Sequence, residues 1–131
     1  MIIVDASVLA NALADDEKDG ETARSELRAA GDIAAPDLID VETVSVLRKR
    51  WLRRTLTDQR FAAAIAHLQQ LGFERAATLH LMPRAFELRA NVSAYDACYV
   101  ALAEHLDCEL VTVDGRLANA TGPRCAIRVL R

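Results

Sequence analysis

The sequence predicts an α/β fold built on a mainly parallel sheet, and three observations carry that expectation. Short apolar runs of strand length alternate with longer segments of helical periodicity along the whole chain. The first run, Ile2-Ile3-Val4, is unbroken and β-branched, as in strands buried on both faces of a parallel sheet. Two of the runs stop at a carboxylate, Asp5 and Asp114. That end of a strand is where open α/β sheets bind their ligands.

The elements follow in order. After Asp5, Ser7 is the N-cap candidate for a helix from Val8 to Leu13. Asp15 to Gly20 is acidic and reads as a solvated loop without the spacing of a calcium-binding loop. A helix is expected from Glu21 to Ala30, with Ala23, Leu27 and Ala30 on one face and Gly31 closing it. A short strand, Asp32 to Ala35, ends at Pro36. Asp37 to Arg54 carries the strongest helical pattern, with Val41, Val44, Leu47 and Trp51 as its apolar stripe and Glu42 one position round from it. Thr57 caps a second helix, Asp58 to Leu71, bearing Phe61, Ile65 and Leu68 and stopped by Gly72. The outer face of this helix pair is open to two readings, a dimer or partner surface or plain packing.

A weak strand is expected near Ala77-Thr78-Leu79, and Pro83 suits the first turn of a helix running to about Ala90. Asn91-Val92-Ser93 breaks that helix, and Ser93 caps the next, Ala94 to Leu106. Glu109 to Asp114 forms a strand, Gly115 turns the chain, and Ala126 to Leu130 offers a last strand. No linker, repeat or low-complexity run divides the chain, so we expect one domain over residues 1–131.

Composition excludes several function classes. The chain has a net charge of −3 and 5% aromatic residues. That is neither the basic balance of a typical DNA-binding domain nor the aromatic supply of a base-stacking platform. Three cysteines with no C-x-x-C pair and no histidine at ligand spacing argue against a zinc site. They read as reduced thiols, buried or semi-buried, in a cytoplasmic protein. Asp5 interrupts the N-terminal apolar run too early for a signal peptide. No segment approaches the ~18 continuous apolar residues of a membrane span, so no membrane partner is expected. There is no P-loop and no G-x-G-x-x-G for a nucleotide cofactor.

Four acids are placed by local pattern on one rim. Asp5 and Asp114 end strands that share a carboxyl edge, Asp96 lies in the first turn of its helix, and Glu42 lies early in the helix after Pro36. Thr112 is on the same strand face as Asp114. Taken singly, each acid has an ordinary structural use, as a helix or turn residue or a solvated charge. Taken together, they would repel one another, and a divalent cation removes that repulsion. All-oxygen ligands favour Mg²⁺, with Mn²⁺ as the alternative. Such a site suits in-line phosphodiester hydrolysis.

At these residues the chain resembles a PIN-domain ribonuclease, and within that family a VapC toxin of the VapBC toxin–antitoxin systems. The matching pieces are I-I-V-D-A-S-V at Ile2 to Val8, P-D-L-I-D-V-E at Pro36 to Glu42, N-V-S-A-Y-D-A at Asn91 to Ala97 and L-V-T-V-D-G-R-L at Leu110 to Leu117. The resemblance implies a PIN-like three-layer sandwich and a Mg²⁺- or Mn²⁺-dependent endoribonuclease. It carries metal binding onto Asp5 and Asp96, with Glu42 binding metal or orienting its water and Asp114 completing the site. Ser7, Thr112 and Asn91 match supporting polar positions. It further implies a homodimer and a VapB-type antitoxin, assembled as a heterotetramer or larger, with the antitoxin's C-terminal segment covering the acidic groove.

RNA contacts are open between two sets of residues. Arg48, Lys49, Arg50, Arg53 and Arg54 could hold phosphates or be a solvated helix end. Arg84 and Arg89 are rivals nearer Asp96 in sequence. Other classes fit less well. A receiver domain needs a lysine after a late strand, and only Lys18 and Lys49 exist. An aspartate-nucleophile phosphatase needs an acid where Ser7 stands, and a serine hydrolase needs a G-x-S-x-G elbow. A non-catalytic, partner-binding PIN module is the alternative that the complete acid set argues against.

Overall fold

The computed structural model describes residues 1–131. Five strands form one sheet in the spatial order β3-β2-β1-β4-β5, and every neighbouring pair is parallel. They are β1 (Ile2–Val4), β2 (Ile33–Pro36), β3 (Glu74–Ala76), β4 (Glu109–Thr112) and β5 (Ile127–Val129). Seven helices flank them: α1 (Ala6–Ala14), α2 (Lys18–Ala30), α3 (Ile39–Leu52), α4 (Asp58–Gln70), α5 (Met82–Glu87), α6 (Ala94–His105) and α7 (Gly115–Ala118). This is the α/β architecture the alternating pattern predicts. Ile3, Val4, Leu110 and Val111 on the two central strands are fully buried, which is why β1 and β4 read as unbroken apolar runs rather than alternating ones.

Helix packing closes the core around the sheet. α1 packs on α2, α3 and α4, and α6 lies against β1, β2 and β4 with α5 beside it. Tyr99, Val100 and Leu102 of α6 and Val8 and Leu9 of α1 belong to one continuous apolar cluster that includes the strands. The three cysteines are free, Cys98 buried and Cys108 and Cys125 half-buried. No helix is long and apolar enough to cross a membrane.

Four local expectations need correction. The N-cap of α1 is Asp5, not Ser7: its carboxylate accepts from the backbone N–H groups of Ser7 and Val8. A cap can be any short acceptor two or three residues before the donor, and both side chains qualified. α2 begins at Lys18, so Gly20 lies inside the helix instead of in a loop. There a Cβ would meet the Asp15 carbonyl oxygen at 1.7 Å; the glycine is required by close backbone approach, not by chain reversal. The strand expected near Ala77 is β3, three residues earlier, and Leu79–Leu81 forms a single 3₁₀ turn. The apolar stripe of α3 is also rotated. Its buried ridge is Ile39, Thr43 and Leu47, whereas Val41 is 75% exposed. The ridge follows an i, i+4 row on the helix that packs against α1, and Val44 and Trp51 face α4 across a shallow apolar groove.

Candidate active site

Strand order sets the location of the site. From β1 the sheet grows through β2 and β3 on one side and through β4 and β5 on the other. The crevice between the carboxyl ends of β1 and β4 is the point where the winding reverses, the usual ligand position in such sheets. Asp5 follows β1 directly at this point and is only 8% exposed. Its extended backbone lets the chain leave the strand and enter α1 in one step.

Neutral donors hold the Asp5 carboxylate. Oδ1 accepts from the Ser7 N–H at 3.1 Å, from the Val8 N–H at 3.2 Å and from the Ser7 hydroxyl. Oδ2 accepts from the hydroxyl of Thr112, the last residue of β4. Thr112 Oγ1 in turn accepts from the Asp114 N–H at 3.0 Å, and Ser7 Oγ from the Val113 N–H at 3.4 Å. The network ties the two central strand ends together. Burial still dominates and raises the Asp5 carboxyl above its ordinary value of 3.8, against the opposing pull of the Ser7, Thr112 and Val8 hydrogen bonds.

The other three acids surround this point. Asp96 lies in the first turn of α6, whose N-cap Ser93 accepts the Asp96 N–H at 3.2 Å. Burial raises the Asp96 carboxyl, and the charges of Asp5 and Asp114 raise it further, opposed by Ser93 and Arg116. Glu42, in the first turn of α3, is raised by burial and by the charges of Asp96 and Asp5, against a hydrogen bond from Tyr99. Asp114 caps α7, accepting the Arg116 N–H at 2.9 Å. Asp96, Asp114, Asn91, Ser93 and Arg116 line a cleft of about 290 Å³. Asn91 donates from Nδ2 to the Thr121 carbonyl at 3.1 Å, which fixes the wall of that cleft. Residues 5, 42, 96 and 114, distant in sequence, therefore lie within electrostatic reach of one another, Asp114 through Asp96.

The donor set suits a hard divalent cation: carboxylate oxygens, no sulfur and no imidazole. Repulsion among the acids raises two of the four, and a bound cation would remove it. No group of three Asp, Glu, His or Cys side chains is drawn together tightly enough to hold an ion without adjustment. The half-exposed Asp96 and Asp114 are the members with room to swing, while Asp5 is fixed on both oxygens.

Two residues at the site escaped the sequence reading. Tyr99, 1% exposed, donates its hydroxyl to Glu42 Oε1 at 2.7 Å. It stands one turn after Asp96, but a tyrosine in an apolar helix reads first as core. Arg116 places Nε 3.4 Å from Asp114 Oδ1, and its side chain is 96% exposed at the cleft. None of the basic residues singled out from sequence lines that cleft. Arg50 donates to Asn11 Oδ1, and Arg48 borders the apolar groove between α3 and α4. Lys49, Arg53 and Arg54 are exposed. Arg89 stacks on the Phe86 ring and donates to the Phe86 carbonyl. Arg84 is engaged in an ion pair with Glu104 at 2.8 Å and also donates to the Gly122 carbonyl, so its guanidinium has a structural use.

Comparison with known proteins agrees with this architecture. The family model of the PIN domain matches residues 2–123. The chain is 42% identical over 130 residues to ribonuclease VapC9 of Mycobacterium tuberculosis, covering 99% of this chain and 98% of that protein. The crystal structure of VapC20 from M. tuberculosis, a sarcin–ricin loop cleaving toxin, matches with a TM-score of 0.68 at 21% identity, over 91% of this chain and 94% of that one. VapBC2 from Rickettsia felis, solved with a DNA fragment from its promoter, matches with a TM-score of 0.72 at 12% identity over the full length of both chains. At those identities the two structural likenesses speak for the fold.

Proposed function

Because this chain belongs to the PIN-domain family, among the VapC ribonucleases, we propose that Asp5, Glu42, Asp96 and Asp114 form the hydrolytic centre of an endoribonuclease, the toxin of a toxin–antitoxin pair. The observation that carries the assignment is Asp5. A carboxylate this buried, met only by neutral donors and set among three further acids, is an unfavourable arrangement for stability alone. It is an understandable one for gathering positive charge at the switch point of the sheet.

The residues divide the work. Ser7, Val8 and Thr112 fix Asp5 so that both its oxygens keep one orientation. Asp96 and Asp114, on the open side, adjust to the incoming ligand. Glu42, half-buried like Asp96, approaches from α3. Together they would hold a divalent ion, Mg²⁺ with Mn²⁺ as substitute. Such an ion, when bound, offsets the acids and promotes attack of water on a phosphodiester. The acids cannot attract an RNA backbone themselves, so a cation at the rim has to; Arg116 is the one that lines the cleft. A VapB-type antitoxin is the partner, in a homodimer-based heterotetramer or larger assembly, a reading supported by the 42% identity to ribonuclease VapC9 over nearly the whole chain. The free thiols agree with a cytoplasmic protein.

The test is RNA cleavage by purified protein, with cut ends mapped in total RNA. Asp5→Asn and Asp96→Asn are each expected to reduce Mg²⁺-dependent cleavage by about 100-fold or more and to relieve growth inhibition on expression. Cleavage retained by the double variant would remove the assignment.

A further inference from the structure

We propose that Tyr99 is a positioning residue of the nuclease centre, its buried hydroxyl holding the Glu42 carboxylate turned toward Asp5 and Asp96; the inference rests on the acid-site reading above. Tyr99 is among the largest fully buried side chains of the protein. A phenylalanine would fill the same space, so the hydroxyl needs a separate reason. Its partner is Glu42 Oε1, at 2.7 Å and 57 residues away in the chain. No other hydrogen bond reaches the Glu42 carboxylate, so Oε1 is used for orientation and Oε2 keeps its lone pairs free.

Glu42 needs such a tether. It sits in the first turn of α3, half-buried, where a long flexible side chain has a short path to water. Asp5 and Asp96 repel it and would drive it outward. Tyr99 also links two elements. It is three residues after Asp96 on α6, on the same helix face. One rigid helix therefore supplies an acid directly and orients a second acid carried by α3. Outer partners of this kind ordinarily set ligand affinity by 10–100-fold.

The experiment uses the full-length chain and a double-mutant cycle, with Mn²⁺ as the probe. Tyr99→Phe removes one oxygen and is expected to fold with an unchanged far-ultraviolet spectrum. Calorimetry should show Mn²⁺ binding weakened about 10-fold. The Mg²⁺ concentration for half-maximal RNA cleavage should rise by a similar factor, while the rate at saturating Mg²⁺ stays near wild type. In the Glu42→Gln background, adding Tyr99→Phe should cause no further loss of Mn²⁺ affinity. Wild-type Mn²⁺ affinity in Tyr99→Phe overturns the proposal, and so does an equal loss in both backgrounds, which would mean that Tyr99 acts by packing. Full affinity and cleavage in Glu42→Gln would instead remove Glu42 from the site, and the proposal with it, while Asp5→Asn reports separately on the nuclease assignment.

Discussion

At Asp5, the penalty for burying a carboxylate is shared among two backbone N–H groups and two hydroxyls. None of these donors carries charge, so the carboxyl remains raised by burial. The consequence for stability has a definite sign. A carboxyl that holds its proton more tightly when folded gives stability that is complete below the ordinary value of 3.8 and is lost as pH rises through the folded value. In chelator, Asp5→Asn is therefore expected to be more stable than wild type at pH 7, since an amide can still cap α1 without carrying charge. That advantage should shrink as pH falls through the raised folded value, where wild-type Asp5 takes up its proton. Thermal melts of both proteins at several pH values measure the difference; a pH-independent gap would mean that Asp5 is not the titrating group. Excess Mn²⁺ should favour wild type alone, because only the carboxylate would gain from the ion.

Among the elements, α5 and α6 show how a charge that reads as a binding group can serve packing. Arg84 and Glu104 are each mostly buried, 17% and 16% exposed in their side chains. Burial alone would push the Glu104 carboxyl up, but the Arg84 guanidinium and the Arg124 N–H hold it low. The pair fastens α5 to α6 and, through the Gly122 carbonyl, to the segment before β5. Arg84→Ala leaves a buried carboxylate without its cation and is expected to lower unfolding free energy by about 3 kcal/mol. Denaturant titration checks that figure. RNA affinity measured in the Asp5→Asn background, where cleavage is expected to be lost, should not change on adding Arg84→Ala, beyond any loss of folded protein. At α3 the lesson is geometric: the stripe Val41-Val44-Leu47-Trp51 is a genuine helical period, but the covered row is Ile39-Thr43-Leu47. Periodicity fixes that a helix forms and not which neighbours lie against it.

At the scale of the whole molecule, net charge −3 and an acidic rim stand against a polyanionic substrate. Binding must then rely on local cations, and two sets are available, Arg116 at the cleft and the exposed basic end of α3. Charge reversal at Arg50 and Arg53 is expected to weaken RNA binding in the Asp5→Asn background, more at low salt, and to reduce the slope of log affinity against log salt by about 0.7 per lost single-strand phosphate contact. An unchanged slope would make the end of α3 a solvated face. Several features were legible in the sequence. The β-branched run before Asp5 and the E-L-V-T run before Asp114 specify buried parallel strands, and Ser93 and Thr57 specify helix starts, because sterics and capping act over a few residues. The four acids could also be placed on one rim, since parallel strands share a carboxyl edge. Which side chains meet was decided by the tertiary structure. The Thr112 hydroxyl reaches Asp5 only because β4 pairs with β1 in the order 3-2-1-4-5. Tyr99 reaches Glu42 only because α6 and α3 pack beside the same strand ends. Arg84 finds Glu104 across α5 and α6. Local sequence encodes backbone geometry through short-range sterics. The energy of a buried charge depends on partners tens of residues away, and only the closed fold brings those partners together.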